Sequence, residues 1–309
     1  MPSTPPHPPI AALDPTALTR FGRLELLSRL VVEGVMSGLH RSPFKGFSVE
    51  FAEHRPYGPG DEIRHIDWRA FGKTDRYFVR EFEEETNLQA YLVLDTSGSM
   101  GFAGRTVSKL ELARRLAAAL AYLMIRQRDA VGLVTFDGEL RSMLPARSAP
   151  GHFAVLCSAM ERARAGGKAP LHRVLHALAD RIRRRGLIVI LSDGFDDLDA
   201  LSQSLRHLRH RHHEVLFFHI LAPEEEAFDF PGPTRFLDLE ADGHRLRVDP
   251  NAVRAVYRQR FDAHRRLLRE RLLGMDADYQ LASTAEPPDR ILLDYLARRT
   301  RRSGGRSRR

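Results

Sequence analysis

The chain has 309 residues, 43% of them hydrophobic and 28% charged, a composition ordinary for a folded globular protein with room for a sizeable core. Its single cysteine, Cys157, excludes an intramolecular disulfide and points to a reducing compartment. A formal net charge of +8 leaves anionic partners open, while no apolar run is long enough to span a bilayer and the start lacks the charged-then-apolar order of a signal peptide. The expected location is the cytoplasm, with a peripheral position at the inner membrane as the second choice.

The first thirteen residues are proline-rich and read as disordered. Asp14-Pro15 then opens a helix, the acid as cap and the proline in the first turn. Leu18, Phe21, Leu24, Leu27, Leu30 and Val31 recur at helical spacing, and the helix is expected to stop near Gly38. From Phe44 to Glu85 the period changes to two, in 47–51 and again in 77–82, with the turn pair Pro59-Gly60 between them. Residues 14–86 therefore read as a helix followed by a small β-rich module.

Residues 87–299 read as alternating strands and helices, the signature of a mostly parallel α/β sheet covered on both faces. Strands are expected at Leu88–Leu94, Ala130–Phe136, Leu187–Leu191, Val215–Leu221 and Tyr279–Ala282. Asp137-Gly138 is a tight-turn pair that joins a hairpin partner at Glu139–Leu144. Ser108 with Glu111 forms a capping box ahead of an apolar stripe from Leu110 to Met124. A later helix starts at Asp249-Pro250 and runs to about Leu273. The last ten residues, 300–309, read as a disordered basic tail, and residues 298–309 hold seven arginines. Such a tail can grip nucleic acid or a membrane surface. No aromatic residue interleaves it, which favours a solvated tail and makes nucleic acid the lesser choice.

The chemistry concentrates where apolar strands end. Tyr91-Leu92-Val93-Leu94 stops at Asp95-Thr96-Ser97-Gly98-Ser99, and Leu187–Leu191 stops at Ser192-Asp193-Gly194. Ligands of open α/β sheets bind outside the carboxyl ends of the strands, so Asp95, Ser97, Ser99 and Asp193 are expected to meet across a crevice. Their oxygens are hard ligands of the kind Mg2+ prefers, and two unpaired carboxylates there would repel. The blander alternative is that both acids cap the helices that follow.

The D-x-S-x-S pattern at Asp95, Ser97 and Ser99 resembles that of von Willebrand factor A domains. Upstream, Phe51, Arg55-x-Tyr57, Pro59-Gly60-Asp61, Arg64 and Ile66-Asp67-Trp68 resemble the hallmark of the DUF58 family. Pro145-Ala146-Arg147, Leu191-Ser192-Asp193 and Leu237-Asp238-Leu239-Glu240 extend the resemblance, which runs from about Gly38 to Arg299. It implies a bacterial von Willebrand A-like (Rossmann-like) fold and a non-enzymatic, chaperone-like adaptor or assembly factor. The partner so implied is a MoxR-type AAA+ ATPase, the clients unidentified proteins, membrane proteins among them. Many relatives carry N-terminal transmembrane helices that this sequence lacks. The resemblance also implies Mg2+ in a metal-ion-dependent adhesion site, filled out by an acidic side chain of the partner. The site is degenerate, because a third-loop threonine is missing. Gly166-Gly167-Lys168-Ala169 stands in that place, with Lys168 or Ala169 where the threonine would fall; the alternative to a bound ion is that the Lys168 ammonium takes the cation position and pairs with Asp95 and Asp193, leaving Mg2+ binding weak or absent.

Arg55, Asp61, Arg64 and Asp67 alternate in sign around Tyr57 and Trp68. They form either an ion-paired scaffold or a partner-docking face. The rival class is a hydrolase using Asp95 and Asp193. Against it, the aspartic-protease Asp-Thr-Gly is broken by Ser97, the second acid of an Asp-x-Asp phosphatase is a serine, and no Walker or dinucleotide loop is present. His207, His210, His212 and His213 read as a solvated helix end among arginines rather than a zinc site, and Cys157 as core.

Overall fold

A computed structural model of the chain describes residues 24–41, 55–56, 78–79, 88–136, 140–149, 151–168, 170–240 and 245–306. It divides into two compact units, residues 38–87 and the remainder.

In the smaller unit, strands β1 (Arg55–Pro56) and β2 (Phe78–Val79) pair antiparallel, with Arg55 opposite Val79. The period-two segment 47–51 lies outside the described residues, as do Tyr57, Asp61, Arg64, Asp67 and Trp68.

The larger unit is built on a six-stranded sheet. Its strands are β3 (Gln89–Asp95), β4 (Ala130–Phe136), β5 (Leu140–Arg147), β6 (Gly186–Ser192), β7 (Glu214–Leu221) and β10 (Asp278–Ser283), in the order β10-β7-β6-β3-β4-β5. All neighbours are parallel except β4 and β5, where Phe136 pairs with Leu140. The near-continuous apolar runs of β3, β4, β6 and β7 match strands covered on both faces, and their interior residues are buried.

Helices cover both faces. On one, α4 (Leu171–Arg181) and α5 (Leu198–His210) pack Leu175, Leu178, Leu201 and Leu205 against Tyr91, Val93, Ile188, Ile190 and Phe217. On the other lies α2 (Lys109–Arg126), whose Ala113, Ala117, Ala118, Ala119 and Ala121 are fully buried and let the helix approach β3 and β4 closely. Each buried Leu or Phe of this core is worth about 1.5–3 kcal/mol of transfer free energy. Helix α3 (His152–Arg162) follows β5, and its Glu161 Oε1 accepts from the backbone N of Leu24 at 2.9 Å. That bond ties down the leading helix α1 (Leu24–Arg41), which buries Leu24, Leu27, Val31 and Val32. The expected start at Asp14 lies outside the described residues; within them the helix continues three residues beyond Gly38 and groups with the sheet unit up to Ser37 rather than with the β module.

After β7 come the short α6 (Pro223–Ala227), an antiparallel hairpin of β8 (Thr234–Leu237) and β9 (Arg245–Val248), and α7 (Pro250–Gly274), capped by Asp249. The hairpin was not expected. The residues of β8 alternate between half-buried and exposed and those of β9 are exposed up to Val248, so no apolar run marks it. The last helix, α8 (Pro288–Arg306), carries the chain past residue 299, so the basic stretch is helical as far as Arg306 rather than a disordered tail. Tyr295 holds α8 to the sheet by an edge contact with Phe218 at 5.7 Å. Among the described residues no helix is long and apolar enough to cross a membrane.

Candidate functional site

Strand order sets the site. β3 lies between β4 and β6, and the chain leaves β3 for β4 on one side and fills β6, β7 and β10 on the other. That reversal is a topological switch point, where the loops beyond two adjacent parallel strands diverge and leave a crevice. Asp95 ends β3 and Asp193 follows β6, so both carboxylates enter the crevice, and both are buried.

The acid–serine loop is held by backbone. Thr96 N and Oγ1 both donate to the Phe136 carbonyl, at 3.0 and 2.6 Å. The Gly166-Gly167 loop docks alongside, Gly166 N donating to Thr96 O at 3.0 Å and Gly98 N to Gly167 O at 2.9 Å. Asp95 accepts from Ser97 N at 2.9 Å and from Ser192 Oγ at 2.6 Å. The Ser97 and Ser99 hydroxyls share a hydrogen bond at 3.1 Å, and Ser99 helps to favour the ionised form of Asp193.

A buried lysine completes the arrangement. Lys109, in the first turn of α2, has no exposed surface and donates to Asp193 Oδ2 at 2.7 Å and to Glu225 Oε1 at 2.6 Å. Burial pulls its pKa down, but Asp193 and Glu225 outweigh that and hold it above the ordinary lysine value. Burial likewise pushes Asp193 up, and Lys109 overrides it, keeping Asp193 ionised below the usual carboxylate range. Among the described residues Asp95 has no such counter-charge. Burial and the neighbouring Asp193 raise it to about 7, against the hydrogen bonds from Ser192 and Ser97.

These contacts correct the expectation for Lys168, whose side chain is exposed and whose charge acts on Glu240. The ammonium in the crevice belongs to Lys109, and Ala169 lies outside the described residues. The signal for Lys109 in the sequence was faint, because a lysine in a first helical turn ordinarily points to water.

Behind the metal-type oxygens stands a second layer that the sequence did not announce. His219, on β7, is pushed down to about 4 by burial and so is neutral. Its Nε2 donates to the Asp193 carbonyl at 2.8 Å, and its Nδ1 accepts from the Tyr279 hydroxyl at 2.8 Å. His264 Nε2 donates to the Gly194 carbonyl at 3.0 Å. Gly194 has φ of +67°, a conformation that favours glycine, and an added Cβ would lie 2.7 Å from Leu268. Cys157 is buried in α3 and its thiol is pushed up to about 12, so it stays protonated and unreactive.

The donor set suits a hard divalent cation. Among the described residues no group of three or more His, Cys, Asp and Glu is arranged to hold a metal, so an ion would rest on Asp95, Asp193 and the two serine hydroxyls. Lys109 balances Asp193 and Glu225 from behind and leaves the Asp95 charge uncompensated in a dry crevice. That uncompensated charge is the electrostatic condition for taking up either a proton or a cation.

The chain is similar to several known proteins. A mycobacterial relative, "Uncharacterized protein Rv1480" of Mycobacterium tuberculosis, is 30% identical over 256 residues, covering 82% of this chain and 80% of its own. "Uncharacterized protein Mb1516" of Mycobacterium bovis matches to the same extent. Among solved structures, BatB from Bacteroides thetaiotaomicron is 14% identical with a TM-score of 0.47, over 69% of this chain and 99% of that one. The SpRpn10 VWA domain is 15% identical with a TM-score of 0.37, over 68% of this chain and 93% of that one. The profile of the family described as "Protein of unknown function DUF58" matches residues 53–267. Because that profile covers more than half of its length, the chain belongs to the DUF58 family.

Proposed function

We propose that the chain is a non-enzymatic protein-interaction adaptor, acting with a MoxR-type AAA+ ATPase in the maturation or remodelling of other proteins. The observation that supports this most is the composition of the crevice at the switch point. Its groups are carboxylates, hydroxyls and a fully ion-paired ammonium, held by backbone bonds and a neutral histidine. Such a set presents oxygens for binding. A hydrolytic reading of Asp95 and Asp193 would need a second group poised to move a proton, and Lys109, held protonated by two carboxylates, is unsuited to that.

Mg2+, which the family resemblance implies, would be held by Asp95, Ser97 and Ser99, with Asp193 beside them. When bound it offers a free coordination position to an acidic side chain of a partner. The chain's own residues do the rest. Lys109 prevents Asp193 and Glu225 from repelling the incoming carboxylate, and Ser192 orients Asp95.

Calorimetric titration with Mg2+ and Mn2+ tests the reading, wild type beside Asp95→Ala. Saturable binding is expected in the wild type and a loss of at least about tenfold in the variant, a difference of roughly 1.4 kcal/mol. A pull-down with the ATPase should weaken in the same variant. Equal binding by both proteins would sink the metal-dependent form of the proposal.

A further inference from the structure

The loop that leaves β8 crosses back over the acid–serine loop. The Leu239 carbonyl sits so close to Gly98 that an added Cβ would lie 1.8 Å from its oxygen and 2.5 Å from its carbon. The next residue, Glu240, is half-buried and lines the same hollow as Ser99, and burial and the nearby charge of Asp193 push its carboxyl above the ordinary value. Asp238 caps the turn, its Oδ1 accepting from Glu240 N at 2.8 Å. A carboxylate of the chain itself thus lies where the proposed recognition edge would meet a partner's acid.

Behind this strap the packing is incomplete. A cavity of about 350 Å3 separates it from the domain, with Phe102, Phe195, Phe230 and Tyr257 in its wall. Phe236 anchors the base of the strap by stacking on Phe228 at 5.5 Å, whereas Leu237 and Leu239 remain 53% and 47% exposed. The tip therefore lays its Leu239 carbonyl on Gly98 over an aromatic hollow. A segment so held loses little on lifting.

We propose that Leu237–Glu240 is an internal ligand that closes the recognition edge. A partner engages by displacing it with an extended segment of the same chemistry, a carboxylate next to a bulky apolar side chain that enters the aromatic hollow. The idea rests on the reading of the Asp95–Ser99 edge as a recognition site and adds its regulation and the kind of segment it accepts. Strap and ligand compete for one set of contacts, so weakening the strap raises the apparent affinity in proportion to the open fraction gained.

The test is fluorescence anisotropy of a labelled peptide Phe-Leu-Asp-Leu-Glu-Ala, the sequence of residues 236–241, with the full chain in Mg2+. Two variants open the strap by different means. Glu240→Gln removes the carboxylate, and Gly98→Ala expels Leu239 by its Cβ while leaving every acid in place. Each is expected to bind the peptide at least about tenfold more tightly than wild type, and a peptide with Gln for Glu should lose that gain. Equal affinity across the three proteins, no binding by any of them, or equal binding of the Gln peptide would overturn the proposal. Failure of the adaptor reading looks different. In that case Mg2+ titration of Asp95→Ala matches wild type, whatever the peptide does.

Discussion

At the scale of single residues, the decisive side chain is Lys109. A fully buried ammonium is tolerated only when paired and hydrogen-bonded, and here two carboxylates lie within 2.7 Å of it. Replacing it with Met leaves Asp193 and Glu225 facing each other without a counter-charge. The expected cost is about 3–5 kcal/mol, the usual penalty for breaking a buried ion pair from one side. Urea denaturation of Lys109→Met measures it, and a loss below about 1 kcal/mol would show that the two acids relax or protonate cheaply. The sequence named Asp95, Ser97, Ser99 and Asp193 because each ends an apolar run or follows closely on one. It missed Lys109 and Glu225 because each lies in an element whose own pattern gives no reason for a charged group to be buried, and His219 because an apolar run marks a buried strand without saying which loop that strand lies beside.

At the scale of elements, the strands were legible wherever both faces are covered. Ala130–Phe136 has the bounds its apolar run implies, and β6 and β7 differ by a residue or so at their ends. Helix α2 was legible from its cap. Ser108 Oγ accepts from Glu111 N at 3.2 Å, while the Glu111 carboxylate turns to Arg115 at 2.9 Å. Among the described residues only half of the expected box is therefore made. Ser108→Ala should cost about 1 kcal/mol. Because α2 carries Lys109 one residue later, the same change is expected to loosen the lysine and weaken Mg2+ binding, readable by thermal melts with and without the ion. Unchanged melts in both conditions would argue that packing of the alanine face alone fixes the helix. The β8–β9 hairpin was illegible for the opposite reason. It is half-exposed, and its partner surface is built from aromatics that follow α6 and from α7.

At the scale of the whole molecule, the uncompensated acid should register in stability. Asp95 is raised to about 7 in the folded protein, above the value near 4 of an unfolded aspartate. Between those values the folded state holds a proton that the unfolded state has lost. Stability contributed this way is fully present below about pH 4 and is lost as pH rises toward 7, with a slope of up to about 1.4 kcal/mol per pH unit. Melting temperature without divalent ions should therefore fall over that interval, and Asp95→Asn should flatten the slope. Mg2+ competes with the same proton, so its stabilisation should grow with pH through that interval and level off above 7. At a concentration one hundred times its Kd the ion would add about 2.7 kcal/mol. A stability profile indifferent to pH in both proteins would mean that Asp95 is solvated or paired in solution.

The sequence by itself determined the class of fold and the loops that carry chemistry. Continuous apolar runs can be satisfied only in a sheet covered on both faces, and such runs must end where polar residues begin. Strand order, and with it the meeting of Asp95 and Asp193, depends on contacts between segments about a hundred residues apart, which no local pattern encodes. The tertiary structure alone decided that the cation in the crevice is Lys109 rather than Lys168. It also decided that Glu240 comes to line the same hollow as Ser99. Both outcomes turn on which groups are taken out of water together, and burial is a property of the assembled surfaces rather than of any one segment.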